Sequence, residues 1–253
     1  MLAEIVNNKK INNYSYLTLK APMLASKAKP GQFVSIKIPE NTRVFWRRPF
    51  SICQAKGDTI ELLIKKVGPG TDWLTQRKVG ETMDIIGPQG QGFSLWKKMS
   101  VILIGGGCGV APLFFLAQKL SKQACDIKIM VGGQSQKDIL LKPELKKITN
   151  KFFCSTIDGS TGHTGKITEV LQNKLAKEKN SIKIAASGPV PMLKAVAKIA
   201  EEYKVYLEVC LEEVMACGLG VCNGCVVKVG NEYKRVCYDG PVFPAHKINW
   251  EKM

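Results

Sequence analysis

Four cysteines near the end of the chain, Cys217, Cys222, Cys225 and Cys237, constrain this sequence more than any other feature. They stand in the run EEVMACGLGVCNGCVVKVGNEYKRVCYDGP, three of them spaced C-x4-C-x2-C and the fourth after a short polar stretch that reads as a hairpin. Four thiolates hold a [2Fe–2S] cluster, and this spacing is the plant-type one. A tight loop has to wrap such a cluster and turn its backbone N–H groups toward the sulfurs. Gly218, Gly220 and Gly224 suit that loop, because glycine reaches backbone angles closed to other residues. Structural zinc also takes four cysteines, but usually as two short C-x2–4-C knuckles. Cys237 has no close partner in sequence, so the spacing favours iron–sulfur over zinc. Disulfides would need an oxidising compartment, and the start MLAEIVNNKK lacks the apolar core of a signal peptide.

The chain has 253 residues, room for two small domains and an appendage. No apolar run reaches the about 18–20 residues needed to span a bilayer, so a soluble, cytoplasmic protein without membrane contact is expected. Net charge is +16. The lysines are scattered, and no basic block is interleaved with aromatics, so no nucleic-acid surface is expected; anionic cofactors remain compatible with the charge. The other five cysteines are Cys53, Cys108, Cys125, Cys154 and Cys210. Most lie in apolar, strand-like contexts, where free cysteine behaves as a small buried hydrophobe.

Up to Lys97 the chain reads as short strands: LAEIVNNKKI, YSYLTLKA, QFVSIKIP, PFSICQA, TIELLIKKV and ETMDIIG. Pro30-Gly31, Lys56-Gly57-Asp58, Val79-Gly80 and Gly87-Pro88 punctuate them. Closely spaced strands with such turns predict an antiparallel barrel. Two pieces of it suit an anion. Arg47-Arg48-Pro49-Phe50-Ser51 offers planar guanidinium forks, a hydroxyl, and a ring able to lie against another flat ring. Lys65-Lys66-Val67-Gly68-Pro69-Gly70-Thr71-Asp72-Trp73-Leu74 runs from a basic strand through a glycine turn into a short helical pattern. Backbone N–H groups at such a place bind phosphate well. Taken singly, each also reads as an ordinary strand start or strand–turn–helix junction.

From Ser100 the pattern alternates. VILIGGGCGVAPLFFLAQKL is a buried-type strand, a glycine turn and an apolar helix. The runs IKIMVGG, FFCSTID, IKIAASG and VYLEV follow, separated by helical stretches at KPELKKIT, GKITEVLQNKLAKE and PVPMLKAVAKIAEEY. This alternation predicts a parallel sheet with ligands beyond its carboxyl ends. Gly105-Gly106-Gly107-Cys108-Gly109 does not fit G-x-G-x-x-G, and no acidic residue follows at the spacing for ribose recognition. It points instead to a close approach by an anionic ligand. Asp158-Gly159-Ser160 and Ser187-Gly188-Pro189 are further glycine turns at strand ends, together suggesting a nucleotide cleft. His163 and His246 are the only histidines and are given no role.

Arg48-Pro49-Phe50-Ser51, Gly70-Thr71, Gly105 to Pro112 and Ser187-Gly188-Pro189, in that order, resemble the ferredoxin–NADP reductase superfamily. The run CLEEVMACGLGVCNGCVVK with VCYDGPVF is similar to the electron-transfer subunits of NAD-dependent, class 1B dihydroorotate dehydrogenases, and the likeness covers essentially the whole chain. That resemblance implies FAD beside Arg48, Pro49, Phe50 and Ser51, with Leu63, Ile64, Lys65, Gly70 and Thr71 completing its site. Lys65 stands where the family often has arginine. The resemblance further implies NAD as substrate near Gly105, Gly106, Gly107 and Gly109, although the residues themselves leave NAD and NADP open. Ser187 replaces a cysteine common at that place in the superfamily. Cys217, Cys222, Cys225 and Cys237 match the family's cluster ligands.

The expected architecture is therefore multi-domain β plus α/β: an FAD-binding antiparallel barrel over 1–97, an NAD-binding parallel-sheet domain over 98–209, and a small [2Fe–2S] domain over 210–253. The resemblance implies an FMN-containing catalytic partner, two of each chain in a heterotetramer, and a place in pyrimidine biosynthesis. No general acid or base for dihydroorotate is visible in this chain. The alternatives are a flavin and iron–sulfur subunit serving ferredoxin, sulfur or hydrogenase partners, and a non-enzymatic redox carrier.

Overall fold

The computed structural model describes residues 1–39, 44–178 and 180–253. Six strands form the first unit: β1 (Leu2–Ile11), β2 (Tyr14–Lys20), β3 (Phe33–Ile36), β4 (Arg48–Lys56), β5 (Thr59–Lys65) and β6 (Thr82–Gln89). They close in the order β1-β2-β5-β4-β3-β6, with β1 and β6 pairing to shut the barrel and every pairing antiparallel. Alternation along each strand sends one set of side chains inward. On β5 that set is Ile60, Leu62 and Ile64, all fully buried. Two short helices, α1 (Pro22–Lys27) and α2 (Pro69–Thr75), begin with proline in the first turn, where its missing N–H costs nothing.

The second unit alternates: β7 (Ser100–Gly106), α3 (Val110–Ser121), β8 (Asp126–Gly133), α4 (Lys142–Ile148), β9 (Phe152–Thr156), β10 (His163–Thr164), α5 (Ile167–Leu175), β11 (Ile182–Ser187), α6 (Val190–Glu202) and β12 (Tyr206–Cys210). Its central strand β7 is buried on both faces. Val101 and Leu103 join a core with α3 and α4, while Ile102 and Ile104 join the core with α5 and α6. A strand so covered reads as a continuous apolar run, as VILI does. Phe115 of α3, 1% exposed, packs into the barrel's core and so fastens the two units together.

The last segment carries a hairpin, β13 (Val226–Val229) and β14 (Glu232–Arg235), and one further strand, β15 (Val242–Pro244). The sheet order is β10-β9-β8-β7-β11-β12-β15, parallel except that β15 runs antiparallel to β12. The sheet is thus mixed at that edge, where the alternating pattern alone predicts purely parallel pairing. Met215, Cys225, Val227, Val236, Cys237 and Phe243 share the core of α5 and α6, so this segment has no separate core of its own. Glu208 of β12, 5% exposed, accepts hydrogen bonds from the backbone N–H and hydroxyl of Ser94, pinning the connection between barrel and sheet. No helix among the described residues is long and apolar enough to cross a membrane.

Candidate functional site

The loop from Cys217 to Cys225 and the turn at Cys237 form a nest of donors around four sulfurs. Leu219 and Cys222 donate backbone N–H groups to Cys217 Sγ at 3.3 and 3.5 Å, and Gly220 donates to Cys237 Sγ at 3.2 Å. Gly224 donates to Cys222 Sγ and Cys237 to Cys225 Sγ, both at 3.4 Å. Side-chain hydrogen bonds pair Cys217 with Cys222 and Cys225 with Cys237. Burial raises the Cys217 thiol, but N–H groups from Cys222, Leu219 and Val221 outweigh it and bring it down to about 6. Cys237 is pushed up to about 12, by burial first and then by its contact with Cys225. Among the described residues no three His, Cys, Asp or Glu side chains converge on one metal-ion position. Four thiols ringed by backbone donors fit a [2Fe–2S] cluster, each iron of which takes two protein thiolates. The donors aimed at sulfur are the groups that tune such a cluster, and the residues fit it.

This nest is braced from three sides. Gln89 at the end of β6 donates its side-chain amide to the Gly218 carbonyl, tying the loop to the barrel. Gly218 has φ +67°, and a Cβ there would meet Ser35 Oγ at 3.0 Å. Arg235 donates to the Gly220 carbonyl at 2.8 Å and to Asp239 Oδ2 at 3.0 Å, clasping the first cysteine loop to the turn that carries Cys237. Cys222 is exposed, whereas Cys225 and Cys237 are buried.

Beside the nest lies a cavity of about 390 Å³. The barrel side of its wall is Phe33, Arg48, Pro49, Phe50, Ser51, Leu63, Lys65 and Thr71. The opposite side is Cys210, Leu211, Glu212, Glu213, Met215 and Pro241, the segment that runs into the cluster loop. Strand alternation explains the barrel half: Leu63 and Lys65 face the cavity, while Ile64 between them points into the barrel core. Gly70 also stands behind the wall, beneath Ile38 and Val44. Arg47 is turned away; its guanidinium bonds Asp84 Oδ2 at 2.6 Å and the Asp84 carbonyl at 3.0 Å. Thr71 Oγ1 accepts the N–H groups of Val67 and Gly68, fixing the turn before α2. One guanidinium, one ammonium, a hydroxyl free among the described residues and an apolar wall that includes Phe50 and Leu63 are the set that a flavin with a pyrophosphate asks for, and FAD fits them.

A second cavity of about 660 Å³ opens over the carboxyl ends of β7, β8, β9 and β11. Gly106, Gly107, Cys108 and Gly109 line it, with Gly132, Gly133, Gly188, Pro189, Ile157 and Lys166. Gly105 does not; it packs on Val110 and Leu113 of α3. Gly107, with φ +53°, faces open space, while Gly109 lies hard against the Ser187 carbonyl. Ser187 is 1% exposed, and its hydroxyl bonds the neighbouring thiol of Cys210. His163 is held by Glu169 at 2.8 Å, and His246 leans on Tyr206.

Several lining residues carry no signal as single letters. Asp138 lines the second cavity and accepts the Tyr14 hydroxyl at 2.7 Å, a contact between barrel and sheet. Glu212 and Met215 line the first cavity; both stand inside the run EEVMACG, which gives their neighbourhood but not their direction.

Residues 212–249 match the family described as the iron–sulfur cluster binding domain of dihydroorotate dehydrogenase B, and residues 103–198 the oxidoreductase NAD-binding domain. A solved structure of an NADH-dependent reduced ferredoxin–NADP oxidoreductase, studied for flavin-based electron bifurcation, superposes with a TM-score of 0.90 at 30% identity, covering 99% of this chain and 91% of that one. A ferredoxin NADP+ reductase from Neisseria gonorrhoeae with bound FAD and NADP shares the fold at a TM-score of 0.69 and 18% identity, over 81% of this chain and 92% of that one. Among curated proteins, the dihydroorotate dehydrogenase B (NAD(+)) electron transfer subunit of Fusobacterium nucleatum is 40% identical over 88% of this chain and 87% of its own. The subunit of the same description from Desulforamulus reducens is 35% identical over 94% of both chains. The chain belongs to the family of electron transfer subunits of NAD(+)-dependent dihydroorotate dehydrogenase B.

Proposed function

We propose that this chain carries electrons, received singly at its [2Fe–2S] cluster from a partner that oxidises dihydroorotate, to NAD+ as hydride. The carrying observation is that one short segment serves both ends of the transfer: Met215 lines the cavity fitted to FAD, and Cys217, two residues on, belongs to the thiolate nest. When bound, FAD exchanges single electrons with an iron–sulfur centre and a hydride with nicotinamide.

The chain's own residues position and tune. Cys217, Cys222, Cys225 and Cys237 hold the irons, and the loop N–H groups stabilise negative charge on their sulfurs. Arg48, Ser51 and Lys65 bind the FAD phosphates and ring edge; Pro49, Phe50 and Leu63 flank the ring, and Thr71 fixes the turn beside it. Ile64 and Gly70 support that wall from behind. Gly106, Gly107 and Gly109 let the dinucleotide approach the sheet, with Gly105 seating α3 beneath them. These roles divide the chain into FAD-binding 1–97, NAD-binding 98–209 and cluster-binding 210–253. The partner carries FMN, assembles two-to-two with this chain, and works with it in the cytoplasm in pyrimidine biosynthesis.

The test is division of labour. The isolated, loaded chain is expected to oxidise NADH with an artificial acceptor and to leave dihydroorotate untouched. Dihydroorotate turnover by this chain alone overturns the proposal. Cys222→Ser is expected to lose the cluster's visible absorbance and paramagnetic signal while retaining FAD; unchanged iron content refutes the ligand assignment. The 30% likeness to the ferredoxin–NADP oxidoreductase supports a second reading, with ferredoxin as the partner. Co-purification from the native host, with the bound chain identified, decides between them.

A further inference from the structure

The two cavities meet at a common wall, and three side chains line both: Lys65, Cys108 and Glu212. Nicotinamide and flavin have to meet there, since hydride passes only between touching partners. Glu212 differs from the other groups around it. Its carboxyl makes no hydrogen bond or ion pair among the described residues, and its side chain is exposed where the two cavities meet.

The stoichiometry of the relay gives such a group a task. An iron–sulfur centre delivers electrons without protons. NADH formation consumes both: NAD+ + 2 e− + H+ → NADH. One proton per NADH must therefore enter where the flavin is reduced, before it leaves with the electron pair as hydride. We propose that Glu212 delivers that proton to the flavin from its carboxylic acid form and is reprotonated by water at the cleft mouth. This rests on the electron-relay reading above.

The surroundings favour it. Burial pushes the thiols of Cys108 and Cys210 up to about 12, with the Glu212 charge contributing in both cases, so neither trades protons near neutrality. The Tyr14 hydroxyl is raised as well, by burial and by its bond to Asp138, and Asp138 is engaged in that bond. Lys65 faces the same wall from β5, and Glu213 lines the flavin cavity alone. Although Glu212 is solvent-exposed in the cleft, the walls around it desolvate the carboxyl and raise it above the ordinary glutamate range, which favours donation by the acid form.

The experiment uses the loaded complex and Glu212→Gln, which keeps size and removes the proton. In the native complex NADH formation should fall as pH rises through the Glu212 titration, and NADH oxidation should rise over the same interval. Glu212→Gln should flatten both limbs and slow NADH formation on the order of 10²-fold, the usual worth of a positioned acid. Glu212→Asp should keep both limbs at reduced rate. A second readout needs no turnover: the flavin midpoint potential of the loaded chain, measured against pH by spectroelectrochemistry. Its slope should break at the Glu212 titration, and the break should vanish in Glu212→Gln. A variant that keeps the break, or slows equally at every pH with both limbs intact, overturns the proposal. If the native complex fails to pass electrons from dihydroorotate to NAD+, the relay reading fails; the potential measurement still decides the role of Glu212.

Discussion

Gly107 and Gly109 sit two residues apart in one turn, yet alanine should damage them differently. A Cβ on Gly109 would lie 2.3 Å from the Ser187 carbonyl oxygen, 2.5 Å from its carbon and 2.6 Å from the Gly188 nitrogen. Ordinary C···O contacts are about 3.3–3.6 Å, so the turn after β11 would have to retreat by roughly 1 Å. These are backbone atoms and cannot swing aside. Overpacking costs about 1–3 kcal/mol, and a clash with three backbone atoms belongs at the upper end of that range. Gly109 has helical angles, φ −59° and ψ −13°, so alanine recovers about 0.5–1 kcal/mol of chain entropy. The net loss is about 2 kcal/mol, or roughly 4–8 °C in Tm for a chain of this size. At Gly107 nothing stands within 4 Å, but φ is +53°. Left-handed backbone costs alanine roughly 1–2 kcal/mol, and the new methyl projects where a dinucleotide phosphate would come. Gly107→Ala should therefore lose less Tm than Gly109→Ala and at least tenfold in NADH affinity. Thermal unfolding by circular dichroism and NADH titration by flavin fluorescence measure the two effects. An unchanged Tm for Gly109→Ala refutes the close approach to Ser187. Unchanged NADH affinity for Gly107→Ala refutes the assignment of this turn to the nucleotide.

Two further outcomes follow from titrating groups. The Arg47 hydrogen bond holds the Asp84 carboxyl below its ordinary range, against the opposing effect of burial. A folded value below the unfolded one stabilises fully above the ordinary carboxylate range and is lost as pH falls through the folded value. The Tm difference between native protein and Asp84→Asn should accordingly be present at pH 7 and close as pH approaches 3; a difference independent of pH contradicts the pairing. In metal-free protein the Cys217 thiol, at about 6, should be alkylated by iodoacetamide at pH 7 well before Cys237, at about 12, because the thiolate is the reacting form. Mass-spectrometric peptide mapping reads the order, and faster labelling of Cys237 contradicts the donor arrangement at Cys217.

What the sequence makes legible tracks how local each feature is. All six barrel strands announce themselves as short apolar-rich runs between turn signals, and β7 as a continuous apolar run between a polar start and a glycine turn. Helix α1 leaves little trace, since six residues bury only Leu24. Strands β10 and β15, two and three residues long, are too short for any period to show. Missing β15 hides the fact that the cluster segment is stitched to the sheet. The adjacent Arg47 and Arg48 look equivalent as letters; Asp84, distant in sequence, takes the first and leaves the second to the cavity. The cysteine spacing is legible because one loop sets it. Glu212 and Met215 are not, because their place depends on walls contributed by both units.

That last segment also explains how three sites in one small chain keep a fixed geometry. After β12 it forms one wall of the flavin cavity, then the thiolate nest, then the hairpin, and returns as β15 to the sheet edge. The barrel side is tied to it at Gln89, which bonds the Gly218 carbonyl, and at Gln91, whose N–H bonds the Gly240 carbonyl. Gly90 lies so close that a Cβ there would sit 2.5 Å from the Gly240 oxygen. Such contacts leave no room for the nest to drift from the barrel without breaking the cavity wall. A relay that changes from single electrons to hydride needs its stations at constant separation while charge moves between them. A nest mounted on a free-standing domain with a flexible linker would lose that constancy. Here cavity wall, thiolate nest and sheet edge are successive stretches of one strand-pinned chain, so the spacing is set by the same packing that folds the protein.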